Sequence, residues 1–275
     1  MSIQVLYSDL DGTMVGPGGC FVRAADGSLT TEPTIALVEL LTAEVDLVLV
    51  SGRTRPQLQE AARIFGADGF IAEMGAIIGW EFGRRSTTLS GQAPPEFAGP
   101  LVAQLESIGL VDALLTRYDG RLAHHAPWHL GHETDVMMHG QVDVDDVEKW
   151  LTSEGYAWLT FVDNGRLPGR TLQGVDGPIH VYHLMARGIS KGRGVAVDLH
   201  RRGLTAENAV AVGDSLSDLE MAGFVERLFL VSNGAAVPSI RDAAAALSNV
   251  TVCEGSVGLG WAEAARWAAA QTGRR

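Results

Sequence analysis

The chain has 275 residues, long enough for two modest domains with a well-buried core. Its 21 Lys plus Arg against 33 Asp plus Glu give a net charge of −12, which argues against a nucleic-acid footprint or a polybasic membrane surface. Cys20 and Cys253 make no disulfide framework, the start lacks a basic-then-apolar secretory pattern, and no apolar run approaches the roughly 20 residues that span a bilayer, so the cytoplasm is the expected compartment.

The first strand signal, starting at Ile3, empties into Asp9-Leu-Asp11-Gly12-Thr13. Carboxylates at a strand end are costly to desolvate unless a cation neutralises them, and a hard divalent cation such as Mg²⁺ suits oxygen ligands. With a phosphate as the reacting group, Asp9 is a candidate nucleophile and Asp11, two residues on, a candidate proton shuttle for the leaving group. For this segment alone, an Asp-Gly turn closing a strand is the plainer alternative. The Gly-rich run from Val15 to Gly19 reads as a turn or loop. A helix over 32–42, a strand over 45–50, a helix over 55–65 ended by Gly66 and a strand from Phe70 follow, and their alternation predicts an α/β fold with a parallel sheet. The strand over 45–50 ends in Ser51-Gly52-Arg53, where a hydroxyl and a neighbouring N–H suit a phosphoryl oxygen.

Composition shifts near Gly83, and Ala93-Pro-Pro95 introduces a helix expected over 96–108. Strand-like pieces are expected at 113–118, 156–162, 170–172 and 179–182, with a helix over 144–153 whose Asp143, Asp145 and Asp146 suit the dipole at its N-terminus. Between them lies His124-His-Ala-Pro-Trp-His-Leu-Gly-His132, four imidazoles within nine positions. Pro127 and Gly131 break any helix that would align these side chains, and no cysteine lies nearby, so a loop with surface or substrate-facing histidines is favoured over a transition-metal site. Arg117, Arg121, His124 and His125 are candidates for recognising the polar body of a ligand, on position alone, whereas Trp128 and Trp158 read as packing residues. Further on, Lys191 opens an amphipathic helix, so its ammonium is placed to offset phosphate charge. The strand over 209–213 empties into Asp214 and Asp218, and an Ala-rich helix over 260–270 closes the pattern. In open parallel sheets ligands gather beyond the carboxyl ends of the strands, so these distant segments converge on one pocket. No Gly-x-x-x-x-Gly-Lys-Ser/Thr run is present, which argues against an ATPase or kinase.

Asp9-Leu-Asp-Gly-Thr13, Ser51-Gly-Arg53, Lys191 and Gly213-Asp214-Ser-Leu-Ser-Asp218 resemble, in this order, the four motifs of the haloacid dehalogenase superfamily. The resemblance implies a Rossmann-like core in which Asp9 is nucleophile and Mg²⁺ ligand, Asp11 acid/base and metal ligand through its carbonyl, Asp214 a metal ligand and Asp218 a support of the metal shell. Ser51 and Lys191 would hold the phosphate, with Gly52 and Arg53 beside the substrate. The long insertion resembles the large α/β cap of the second type, shared by Cof-like sugar phosphatases, mannosyl-3-phosphoglycerate phosphatases and sucrose-phosphate phosphatases, and Phe70-Ile-Ala-Glu-Met-Gly-Ala-Ile-Ile78 resembles the turn that precedes such caps. Met74 and Ser217 depart from the asparagines usual at those places. The implied organisation is core over 1–82, cap over 83–185 and core over 186–275. The implied activity is Mg²⁺-dependent hydrolysis of the phosphate monoester of a small metabolite, a sugar phosphate or glycosyl-phosphoglycerate, through an aspartyl-phosphate. A phosphomutase of the same superfamily and a non-catalytic metabolite-binding protein are the alternatives.

Overall fold

A computed structural model describes residues 2–97, 99–167 and 169–272. The chain divides into two compact units, Met1–Thr88 with Ser190–Arg275, and Leu89–Ile189. These limits differ by several residues from the expected ones at 83 and 185. The reason is β-pairing: the exposed strand Arg85–Thr88 adds to the first unit's sheet, and the last strand of the second unit runs to Ala186.

The first unit begins with β1 (Val5–Asp9), α1 (Glu32–Thr42), β2 (Asp46–Val50), α2 (Arg55–Phe65), β3 (Gly69–Ala72), β4 (Ile77–Trp80) and β5 (Arg85–Thr88). Both helices fall where periodicity places them. Thr54 and Gln57 form a reciprocal capping box on α2, and Gly66 ends it in the left-handed conformation. The second unit contains α3 (Leu101–Ser107), α4 (Leu110–Arg117), β6 (Leu122–His124), β7 (Asp135–Gly140), α5 (Val144–Ser153), β8 (Leu159–Arg166) and β9 (His180–Ala186). The chain then returns through α6 (Lys191–Arg202), β10 (Ala209–Gly213), α7 (Leu216–Leu219), β11 (Arg227–Leu230), α8 (Ser232–Ala235), α9 (Pro238–Ala245), β12 (Val250–Val252) and α10 (Gly258–Ala270).

In the first unit an eight-stranded sheet has the order β12-β11-β10-β1-β2-β3-β4-β5. It is parallel from β12 to β3 and antiparallel for β4 and β5. Strands β1, β2, β3 and β10 are buried along nearly their whole length, as the unbroken apolar runs Val-Leu-Tyr, Leu-Val-Leu-Val and Ala-Val-Ala-Val require of strands covered on both faces. The carboxyl ends of β1, β2 and β10 therefore lie side by side, and each is followed by one of the polar motifs. Glu73 and Met74, just after β3, both have positive φ (49° and 58°), a region in which Asn is better tolerated than Met. Their N–H groups donate to the carbonyls of Arg53 and Ser51, tying this turn to the loop after β2.

The second unit carries an antiparallel sheet of order β6-β7-β9-β8. Here three expectations need correction. Residues 113–118 are not a strand but part of α4, whose Leu110, Val111 and Leu114 are buried at helical spacing, with Asp112 in the first turn and Arg117 in the last. Residues 170–172 lie in no strand. The helix expected over 96–108 is confined to Leu101–Ser107, because Pro100 stands at its N-cap. Helix α5 matches its expected span, with the Asp143 carboxylate accepting from the N–H groups of Asp145 and Asp146.

Candidate active site

The ends of β1 and β10 and the start of α6 bring Asp9, Asp214, Asp218 and Lys191 together. Lys191, 3 % exposed, donates from Nζ to Asp9 Oδ1 at 2.8 Å and to Asp218 Oδ1 at 2.6 Å. Burial works against the ammonium, but Asp218 and Asp9 outweigh it and hold its pKa above the ordinary lysine range. One lysine does not balance the acids. Burial, reinforced by Asp218, raises Asp9 well above the usual carboxylate range, and the same two causes push Asp214 up to about 7. Asp9 Oδ2 is buried without a hydrogen-bond partner.

Asp218 is positioned by its own helix start: its Oδ2 accepts from Asp214 N (3.0 Å), Ser215 N (2.9 Å) and Ser215 Oγ (2.6 Å). Asp214 accepts from Thr13 Oγ1 at 3.3 Å and from Asn233 Nδ2 at 3.2 Å. Asn233 also donates to the Gly12 carbonyl at 2.9 Å, so it links the β1 motif to the β10 motif. The sequence reading missed Asn233; its one signal is the place of Ser-Asn-Gly just past another buried parallel strand, β11. Gly12 has φ +86°, and a Cβ there would lie 2.5 Å from Asp214 Oδ2, so only glycine lets the two loops approach.

One carboxylate oxygen each from Asp9, Asp214 and Asp218 lies within 4.8 Å of the others. An all-oxygen donor set, excess negative charge and a bare buried oxygen on Asp9 suit a hard divalent cation. The Asp11 side chain stands apart. It is exposed and held by Arg53 through two hydrogen bonds, Nε to Oδ2 at 2.7 Å and Nη2 to Oδ1 at 2.6 Å. Ser51 is 4 % exposed, and its Oγ accepts from Arg53 N at 3.2 Å, which orients the Ser51-Gly52-Arg53 turn.

The candidate residues of the second unit are not brought together as a set. Arg117 pairs with Asp146 (3.6 Å) and with Tyr118 Oη, and Arg121 donates twice to the Gln141 carbonyl, so both guanidinium groups serve local structure. His124 pairs with Met138 across the sheet and stacks on His129 with centroids 4.7 Å apart. His125 is 6 % exposed and packs edge-on against His139.

Residues 167–253 match the model of a family described as haloacid dehalogenase-like hydrolase. A phosphoglycolate phosphatase of Methanococcoides burtonii is 25 % identical over 228 residues, covering 82 % of both chains. Among solved structures, a Thermoplasma acidophilum protein shares the fold with a TM-score of 0.67 at 16 % identity, covering 98 % of this chain and 99 % of the other. The sucrose-phosphatase of Synechocystis sp. PCC6803, solved with sucrose and phosphate, does so with a TM-score of 0.65 at 17 % identity and 98 % coverage of both. Fold, motif order and the family model over 167–253 all point to a likeness with the haloacid dehalogenase-like hydrolases.

Proposed function

We propose that the chain is a divalent-metal-dependent phosphatase that hydrolyses the phosphate monoester of a small metabolite through an aspartyl-phosphate on Asp9. The observation that carries this reading is the asymmetry of the Asp9 carboxylate, with Oδ1 anchored by Lys191 and Oδ2 buried and bare. An anchored carboxylate with one free oxygen is oriented for in-line attack on phosphorus. Lys191 and the Ser51 hydroxyl would neutralise charge on the transferred oxygens. Asp9, Asp214 and Asp218 would hold Mg²⁺, which when bound supplies further neutralisation of that charge. Asp11 protonates the departing alcohol and then, as a carboxylate, takes a proton from the water that cleaves the acyl phosphate. The Arg53 fork holds Asp11 as the carboxylate that takes the water's proton, and must let go of one oxygen for Asp11 to enter the cycle protonated as the acid. The printed names of the relatives, phosphoglycolate phosphatase and sucrose-phosphatase, support a small phosphorylated metabolite as substrate.

The direct test is phosphate release from phenyl phosphate and a panel of phosphorylated metabolites, with Mg²⁺ and with EDTA. Turnover that depends on Mg²⁺ and disappears in a folded Asp9→Asn variant is expected. Undiminished turnover in that variant, or in EDTA, would sink the proposal.

A further inference from the structure

The turn that follows β3 is wedged, by backbone alone, between the loop that carries Ser51 and the helix start that carries Lys191, all within the first unit. Three successive residues, Glu73, Met74 and Gly75, have positive φ (49°, 58° and 107°), and only the third is a glycine. A Cβ makes that region unfavourable, so surrounding contacts must hold Glu73 and Met74 there. On one side, their N–H groups donate to the carbonyls of Arg53 and Ser51 at 3.1 and 3.3 Å. The Ser51 N–H in turn donates to the Ile71 carbonyl of β3 at 2.9 Å, so the two strand ends are bonded in both directions.

On its other side the turn meets the start of α6. A Cβ at Gly75 would lie 2.0 Å from the Ser190 carbonyl oxygen and 2.9 Å from Lys191 N, so nothing larger than glycine fits unless that backbone moves. The same Ser190 carbonyl accepts the Gly194 N–H at 3.0 Å, the bond that closes the first turn of α6. A Cβ at Gly194 would lie 3.0 Å from the Gly75 carbonyl oxygen and 2.6 Å from Ile71 Cγ2. Glycine is a poor helix former, and this close approach accounts for its use here. Ser190 caps the helix as well, its Oγ accepting from Arg193 N at 3.1 Å. The main chain therefore fixes where Lys191 starts, before its ammonium meets Asp9 and Asp218.

We infer that Glu73-Met74-Gly75 is a spacer that sets the separation of the Ser51 hydroxyl from the Lys191 ammonium, with Gly75 and Gly194 as its positioning residues. The inference rests on the reading of these two groups as phosphate holders and adds what fixes their distance. Two groups that hold one anion must match its width, and a misplacement of about an ångström removes much of their joint gain. Backbone bonds and glycine contacts cannot give way by rotating a side chain, so a spacer built from them keeps that distance.

Orthophosphate binding to the full chain, followed by ³¹P NMR with Mg²⁺ present, reads the spacing in a double-mutant cycle with Ser51→Ala. Gly194→Ala is expected to weaken orthophosphate by about tenfold in the wild-type protein and by less than about twofold in the Ser51→Ala background. Once one of the two groups is gone, their separation no longer matters. Gly75→Ala, whose Cβ meets backbone, is expected to act in the same sense and more strongly; should it fail to fold, Gly194→Ala decides. A residue that only supports the fold would lower Tm and leave the cycle additive. Equal losses in the two backgrounds, or unchanged binding in folded Gly194→Ala, would overturn the inference and leave the phosphatase reading intact. Hydrolysis of phenyl phosphate by the wild-type protein tests that reading separately. No turnover beside a coupled orthophosphate cycle would refute the phosphatase and keep the spacer, whereas a wild-type protein that binds no orthophosphate would refute the spacer.

Discussion

The core unit and the second unit each bury a knot of ionisable side chains, and the two are balanced in opposite directions. In the core, three carboxylates share one ammonium, so the acids Asp9 and Asp214 are raised. In the second unit one carboxylate sits between two imidazoles; burial alone would raise Asp135, but His183 and His132 hold it below the ordinary range. The sign of the imbalance decides what each knot invites. A surplus of buried carboxylates draws a cation. Two imidazoles on one buried carboxylate take up both its oxygens and leave no acid over.

Several perturbations break this contrast, beginning with the largest. Asp9→Asn removes both the proposed nucleophile and one acid, and phosphate release is expected to fall by about a thousandfold or more while the circular dichroism spectrum is unchanged. Lys191→Met leaves Asp9 and Asp218 buried without their counter-charge, so thermal unfolding without Mg²⁺ is expected to show a loss of about 3–5 kcal/mol. Added Mg²⁺ should restore part of that loss, as a cation bound only by the folded state must. A variant whose Tm is untouched would mean that Lys191 carries no such burden.

In the second unit, Asp135→Asn keeps one acceptor oxygen and sets an amide NH2 against the ring N–H of the other histidine of the His132–His183 pair, and a cost of about 1–3 kcal/mol is expected in urea unfolding. Mg²⁺ should not repair it, which separates the two knots. Equal rescue of both variants by Mg²⁺ would show that they are not chemically distinct.

The smallest effect concerns pH. His125 has its folded pKa depressed from 6.5 to about 4, so between those values the unfolded chain binds more protons than the folded one. Its contribution to stability is present above about 6.5 and is lost as pH falls toward 4. His125→Gln is expected to flatten the stability curve over that window, and an unchanged slope in pH-dependent unfolding would contradict the lowered value.

Much of this was readable before the structure. Helices α1, α2 and α5 carry their own signals, and α1, α2 and α5 match their predicted limits because an amphipathic stripe, a proline or acidic start and a cap act within a few residues. Strand β7 escaped notice because Asp135 and His139 look like loop residues, yet both are buried. The error at 113–118 has a similar origin. Leu114 and Leu115 read equally well in a strand, and only the packing of Leu110, Val111 and Leu114 on one buried face separates the two conformations.

The sequence by itself determined the α/β alternation and the polar groups at the ends of three strands, since both depend on neighbours close along the chain. Register and tertiary packing decided the rest. The Asn233 bridge joins residues 221 positions apart, and Lys191 reaches Asp9 across 182. On the sheet of the second unit, the pairing of β7 with β9 put His139 beside His183, whereas a shift of one residue would have sent them to opposite faces. Local sequence writes the period of a strand, but which imidazoles meet depends on a partner strand more than 40 residues away.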